Sequence, residues 1–210
     1  MIDIENITKS NLQKIWNGSI KNVSQEQIKY HFGLKLYQYS AGKNFDTFIP
    51  ESKRKNITSV YRSQDSKVSS KEKQFQRLLL GYQGIPVDLT PFKCGISSKE
   101  ANKNKINCVK DHVIGVTLAG QIIARELDNR LGNDYSSLDK VRYQINLMCD
   151  DWLQNNLWLW ATCRITRDEH SPKRLLRGSK INSGKLSMLE YKKSLLHYKE
   201  ANIEIEKYSS

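Results

Sequence analysis

The sequence predicts an α+β fold, on three observations. Leu138, Val141, Ile145, Met148 and Trp152 recur every three or four positions, the spacing of an amphipathic helix. Leu157, Leu159, Ala161, Cys163 and Ile165 alternate with Trp158, Trp160, Thr162 and Arg164, the period of a strand with one buried face. Residues 106–116, INCVKDHVIGV, are rich in valine and isoleucine and end at glycine, which predicts a second strand. A chain of 210 residues, 38% hydrophobic and 27% charged, can fill one ordinary core or two small ones, so fibrous and fully disordered classes are excluded.

Along the chain, the first forty residues read as helical. Ser10 can cap a segment carrying Leu12, Ile15 and Trp16, and Ser24 can cap residues 25–32 with Gly33 as the stop. Residues 23–42 therefore have the outline of helix, glycine turn and second helix, a helix-turn-helix cue that a generic helical hairpin also produces. Residues 43–73 are polar and basic, an exposed arm. Residues 1–80 form a helical, basic N-terminal region on this reading, and residues 81–210 a second domain.

Phe75, Leu78, Leu79 and Tyr82 suit a short helix, Pro86 and Pro91 bracket an extended stretch, and residues 94–104 read as a polar loop. Residues 118–131 fit a helix stopped at Gly132. Ser136 or Ser137 caps the helix of residues 138–155. Thr166 to Glu169 spells T-x-x-E, a capping box that starts a helix, with His170 in its first turns and Pro172 early enough to be tolerated. Residues 187–208, with Leu189, Leu195, Leu196 and Tyr198 among lysines, predict a C-terminal amphipathic helix.

Lysine and arginine outnumber acids by 34 to 22, a net charge of +12, and the excess is uneven. Lys53, Arg54, Lys55, Arg62, Lys67, Lys71, Lys73 and Arg77 face only Glu51, Asp65 and Glu72 in residues 51–77, and a second basic stretch spans residues 164–185. Such patches supply the salt-sensitive part of nucleic-acid binding, so DNA is the first partner considered, although a solvated lysine-rich surface gives the same count. No apolar run reaches the roughly 18 residues of a membrane-spanning helix, so no membrane partner is expected. MIDIENITKS lacks the basic start and apolar core of a secretory signal, and an intracellular, cytoplasmic protein is expected. Cys94, Cys108, Cys149 and Cys163 contain no CxxC pair, so reduced thiols are expected rather than structural zinc.

Two of the four histidines stand in informative places. Asp111-His112 lies in the first strand, and His170 follows the second strand at the start of a helix. KCGIS at residues 93–97 with KDHVIGVTLAG at 110–120, and NNLWLWATCRITRDEH at 155–170, carry a resemblance. The chain resembles the HNH (His-Me finger) endonuclease family over residues 93–175. The resemblance implies a ββα-metal finger with a helical insertion between the two strands, in addition to the basic N-terminal region and C-terminal helix. It implies that His112 is the general base, that Asp111 and His170 hold one Mg²⁺ or Mn²⁺ ion, and that Asn156, or Asn155 beside it, orients the imidazole.

The residue types suit that chemistry. Phosphodiester hydrolysis needs an activated water and charge stabilisation at the phosphorus, which a histidine near neutrality and one divalent cation provide. Arg164, Arg167, Lys173, Arg174 and Arg177 surround the site in sequence and are candidate phosphate contacts, as are Lys53, Arg54 and Lys55. Trp152, Trp158 and Trp160 could stack bases, but their spacing more often means core. Phosphate loops, dinucleotide fingerprints, nucleophile elbows and zinc helices are missing from the sequence. Asp88 and Glu100 with Lys103 lack the spacing of the other common nuclease motif. A divalent-metal-dependent DNA endonuclease, a homodimer if it cuts a palindrome, is the expectation. The alternative is a non-catalytic, helix-turn-helix-like DNA-binding protein in which Asp111, His112 and His170 have no reason to meet.

Overall fold

The structure, a computed structural model, describes residues 25–43, 95–104, 106–171, 175 and 188–208. The first helix region, the arm of residues 44–73, the helix over residues 74–82, Cys94 and Pro172 lie outside the described residues, as does the expected boundary near residue 80. The described chain is mixed α and β and falls into two compact units. One holds residues 95–115 and 156–208, the other residues 25–43 and 116–155. Among the described residues no helix is long and apolar enough to cross a membrane.

The second of these units is helical. Helix α1, Gln25–Lys43, buries Ile28, Phe32, Leu36 and Tyr39 along one stripe. It runs unbroken through Gly33, which corrects the expected helix-turn-helix. A Cβ at Gly33 would stand 3.3 Å from Cys149 Sγ and 3.6 Å from Ile145 Cγ2, so this glycine serves close packing and not a turn. Its propensity cost of about 1 kcal/mol is outweighed by the stripe on either side of it.

Among the described residues, the rest of this unit is residues 116–155. Between them and α1 the other unit contributes β1, Ile96–Ser98, α2, Lys99–Lys103, and β2, Cys108–His112. Helix α3, Val116–Leu131, ends at Gly132, whose φ of +60° is the left-handed conformation that stops helices. Ser137 caps α4, Leu138–Leu147, by accepting from Lys140 N at 3.3 Å. The periodic segment then departs from a plain α-helix. It widens into a π turn, Met148–Trp152, closed by Leu153 N donating to Met148 O, which turns Trp152 flat against Phe32.

A 3₁₀ helix, Gln154–Trp160, follows, where the alternation had predicted the first half of a strand. Leu157 and Trp160, three apart, share a buried side, and Ala161 N donates to Trp158 O in the tight 3₁₀ manner. A short apolar alternation fits a three-residue repeat as well as a two-residue one, and packing decides. The strand itself is β3, Thr162–Thr166.

In the other unit, β1, β2, β3 and a last strand, β4 (Ile205–Lys207), make one sheet in the order β2-β3-β1-β4. β2 and β3 are antiparallel, with Asp111 opposite Cys163 and His112 opposite Thr162. β3 and β1 are parallel, and β1 and β4 antiparallel. Ile96, Cys163 and Ile165 are fully buried, so the sheet has one face in the core.

Two further expectations are corrected in this unit. The loop over residues 94–104 contains a turn at Gly95, β1 and α2, whose N-cap is Ser98. The C-terminal helix is two short ones, α5, Met188–Lys193, and α6, Leu196–Glu200, separated by Leu195 at φ +58° and followed by β4. A left-handed leucine costs about 1–2 kcal/mol. Burial of Leu195 and Tyr198 on that bend offsets it.

Candidate metal centre

The site begins with strand pairing. Every residue of β2 has a partner on β3, and alternation puts Asp111 on the face shared with buried Cys163 and Ile165. His112, one residue on, shares its face with Lys110, Thr162 and Arg164. Asp111 and His112 therefore leave the backbone in opposite directions.

His170 is delivered by the segment after β3. The capping box forms as the sequence predicts: Glu169 N donates to Thr166 Oγ1 at 3.2 Å, and Thr166 N to Glu169 Oε2 at 2.8 Å. It starts a turn in which His170 N donates to Thr166 O, and Leu175 N donates to Ser171 O further on; most of the expected helix lies outside the described residues. The turn is anchored from β1, since Ser98 Oγ donates to buried Glu169 Oε2 at 2.6 Å while accepting from Ala101 N at 3.0 Å.

This anchoring brings the imidazole to the carboxylate. His170 Nε2 lies 3.3 Å from Asp111 Oδ1, with the two side chains 30% and 15% exposed, so the pair meets at the surface of the core. The other carboxylate oxygen, Oδ2, accepts a 2.8 Å hydrogen bond from the hydroxyl of Tyr198, which is fully buried on α6. Burial drives the Tyr198 phenol well above its ordinary range, so its hydroxyl keeps its proton. His112 is pulled below its ordinary value by burial, against the opposing charge of Asp111, which favours the neutral imidazole at neutral pH.

One carboxylate oxygen and one imidazole nitrogen fit a hard divalent cation. Neighbouring donors on an octahedron with bonds of about 2.1 Å stand about 3 Å apart, close to the separation of Oδ1 and Nε2. Among the described residues no group of three or more His, Cys, Asp or Glu side chains gathers to hold a metal, so a cation here would rely on two protein donors and on water or phosphate oxygens. The same distance serves an ordinary Asp–His contact.

The remaining expected residues are placed as follows. Asn156 is half-buried in the 3₁₀ helix before β3. Arg164 is half-buried on β3 with its guanidinium 5.7 Å from the Tyr208 ring, and Arg167 is exposed in the turn. Lys53, Arg54, Lys55, Lys173, Arg174 and Arg177 lie outside the described residues. Trp160 is buried, Trp152 stacks on Phe32, and Trp158 lies under the Lys193 ammonium, so all three are engaged in packing.

Three residues escaped the sequence reading. Tyr198 appeared only as an apolar position of a helix, and nothing local ties it to a carboxylate 87 residues away. Lys110 sits directly opposite Arg164, on the face of His112, a position that counting by twos from His112 reveals. His197 is buried with neither ring nitrogen hydrogen-bonded among the described residues, its ring 4.0 Å from that of Tyr198. No protein-family model, no curated protein and no solved structure matches the chain.

Proposed function

We propose that this chain is a divalent-metal-dependent endonuclease that hydrolyses DNA phosphodiester bonds. The observation that supports this most is the meeting of Asp111 and His170, 3.3 Å apart; His112 is the last residue of β2, on the opposite face of the ladder. In this reading β2, β3 and the turn carrying His170 are a ββα-metal finger, and residues 116–155 are its helical insertion.

Asp111 and His170 hold the cation, Mg²⁺ or Mn²⁺. When bound, the ion acts as a Lewis acid on the phosphate and the leaving oxygen. His112 stands at the end of β2, so a turn of its side chain round the strand end towards the ion would let the imidazole, kept neutral by burial, accept the proton of the attacking water as its oxygen bonds to phosphorus. The P–O3′ bond breaks, the 3′ oxygen takes a proton from solvent, and His112 returns its proton to solvent. Asn156 orients the His112 imidazole. Lys110, Arg164 and Arg167 hold phosphates along the strand. Lys53, Arg54, Lys55, Lys173, Arg174 and Arg177 add to the same electrostatic attraction.

The test is plasmid cleavage with Mg²⁺, Mn²⁺ or EDTA for the wild type, His112→Ala and His170→Ala. Metal-dependent cutting that falls by about 10²–10⁴ in His112→Ala, with DNA binding kept, supports the reading. Tight, salt-sensitive binding without cutting under any metal overturns it in favour of a non-catalytic DNA-binding protein.

A further inference from the structure

We infer that Tyr198 is a positioning residue for this metal centre: its hydroxyl holds Oδ2 of Asp111 so that Oδ1 is turned to the ion beside His170 Nε2. The inference rests on the metal reading above and extends it to a side chain outside the strand pair and the turn.

A carboxylate on a single strand has a broad torsion about its last bond and can offer a cation either oxygen or both. Here one oxygen is already committed. The Tyr198 hydroxyl donates to Oδ2 at 2.8 Å, while Oδ1 faces His170 Nε2 at 3.3 Å. One carboxylate thus carries two separate duties, and its rotation would break the first to disturb the second.

Tyr198 is itself fixed from several sides. It is fully buried, and its ring lies against that of His197. Its N–H donates to Leu195 O at 3.0 Å, and its carbonyl accepts from Ile203 N at 2.9 Å. Cys163 stands opposite Asp111 in the ladder and is fully buried. Outer hydrogen bonds of this kind orient ligands and typically change metal affinity about 10–100-fold when removed.

Calorimetric titration of the full chain with Mn²⁺ alone tests this, on the wild type, Asp111→Asn, Tyr198→Phe and Ile203→Val, with circular dichroism in parallel. Tyr198→Phe keeps the buried ring and removes only the hydroxyl. Ile203→Val loosens the same corner without touching Asp111. The expected result is no measurable binding in Asp111→Asn, about tenfold weaker binding in Tyr198→Phe, and wild-type affinity in Ile203→Val, all folded. Wild-type binding lost in Asp111→Asn but weakened less than threefold in Tyr198→Phe overturns the role of Tyr198 and leaves the metal centre standing. So does equal weakening in Ile203→Val, which reduces the effect to packing. Absence of Mn²⁺ binding by the wild type, or undiminished binding by Asp111→Asn, overturns the metal centre itself.

Discussion

Ser98 and Glu169 join the two sides of the site: the hydroxyl that caps α2 also donates to the carboxylate that closes the turn before His170, at 2.6 Å. Both residues are buried, and the bond spans 71 positions of sequence. Ser98→Ala removes a donor from a buried carboxylate and the cap of α2 at once. Hydrogen bonds to charged groups contribute about 1.5–3 kcal/mol, so a loss in that range is expected in urea unfolding. The same variant should weaken Mn²⁺ binding, because His170 rides on the turn that Glu169 holds. A loss below about 0.5 kcal/mol, the range of ordinary surface changes, contradicts the anchoring role.

Lys110 and Arg164 give the second prediction. They stand directly opposite one another on the face of His112, where two like charges in register favour a bound anion. Lys110→Ala and Arg164→Ala should each weaken DNA binding for all sequences alike. Each should lower the slope of log affinity against log salt by about 1, as the loss of one phosphate contact does. Fluorescence anisotropy across a salt series reads this. An unchanged slope in both variants removes this strand face from the interface.

The elements legible in the sequence were those whose signal is local. Ser137 as a cap, Gly132 as a stop and the Thr166–Glu169 box each need one side chain and the nearest backbone, and each forms. β2 announced itself by composition. What was lost depends on distant partners. The break at Leu195, the 3₁₀ helix before β3 and the three-residue strands β1 and β4 are fixed by packing and by sheet neighbours far off in sequence. The site divides the same way. Asp111 and His170, which the structure brings together, were singled out in the sequence by a resemblance, whereas Tyr198 was not, because its bond to Asp111 exists only after α6 has folded back on β2.

Gly33 yields a prediction that depends on its neighbour. Alanine in a helix interior is favoured over glycine by about 1 kcal/mol, but a Cβ here meets Cys149 Sγ at 3.3 Å. Cys149 is buried, and overpacking of a tight core costs about 1–3 kcal/mol. Gly33→Ala should therefore be neutral to destabilising in the wild type. In a Cys149→Ala background, where the sulfur is gone, the same change should stabilise by up to about 1 kcal/mol. A double-mutant cycle by chemical denaturation measures the coupling, and strict additivity would show that the helices do not meet at this glycine.

His197 makes stability depend on pH in a calculable direction. Its ring is buried against Tyr191 and Tyr198, with Lys192 the nearby charge, and burial holds its pKa down to about 2. The unfolded chain binds a proton at this residue near pH 6.5, while the folded chain does not until far lower. The unfolded state therefore gains protons first as pH falls, and folding weakens below about pH 6.5 by up to 1.4 kcal/mol per unit. His197→Phe keeps a ring in the site and removes the titration along with two buried ring nitrogens that lack hydrogen bonds among the described residues. Urea midpoints of the two proteins should separate steadily on acidification, the variant gaining about 2–3 kcal/mol on the wild type between pH 6.5 and 4.5. Parallel pH profiles would mean that His197 finds solvent or a partner in solution and titrates normally in the folded chain.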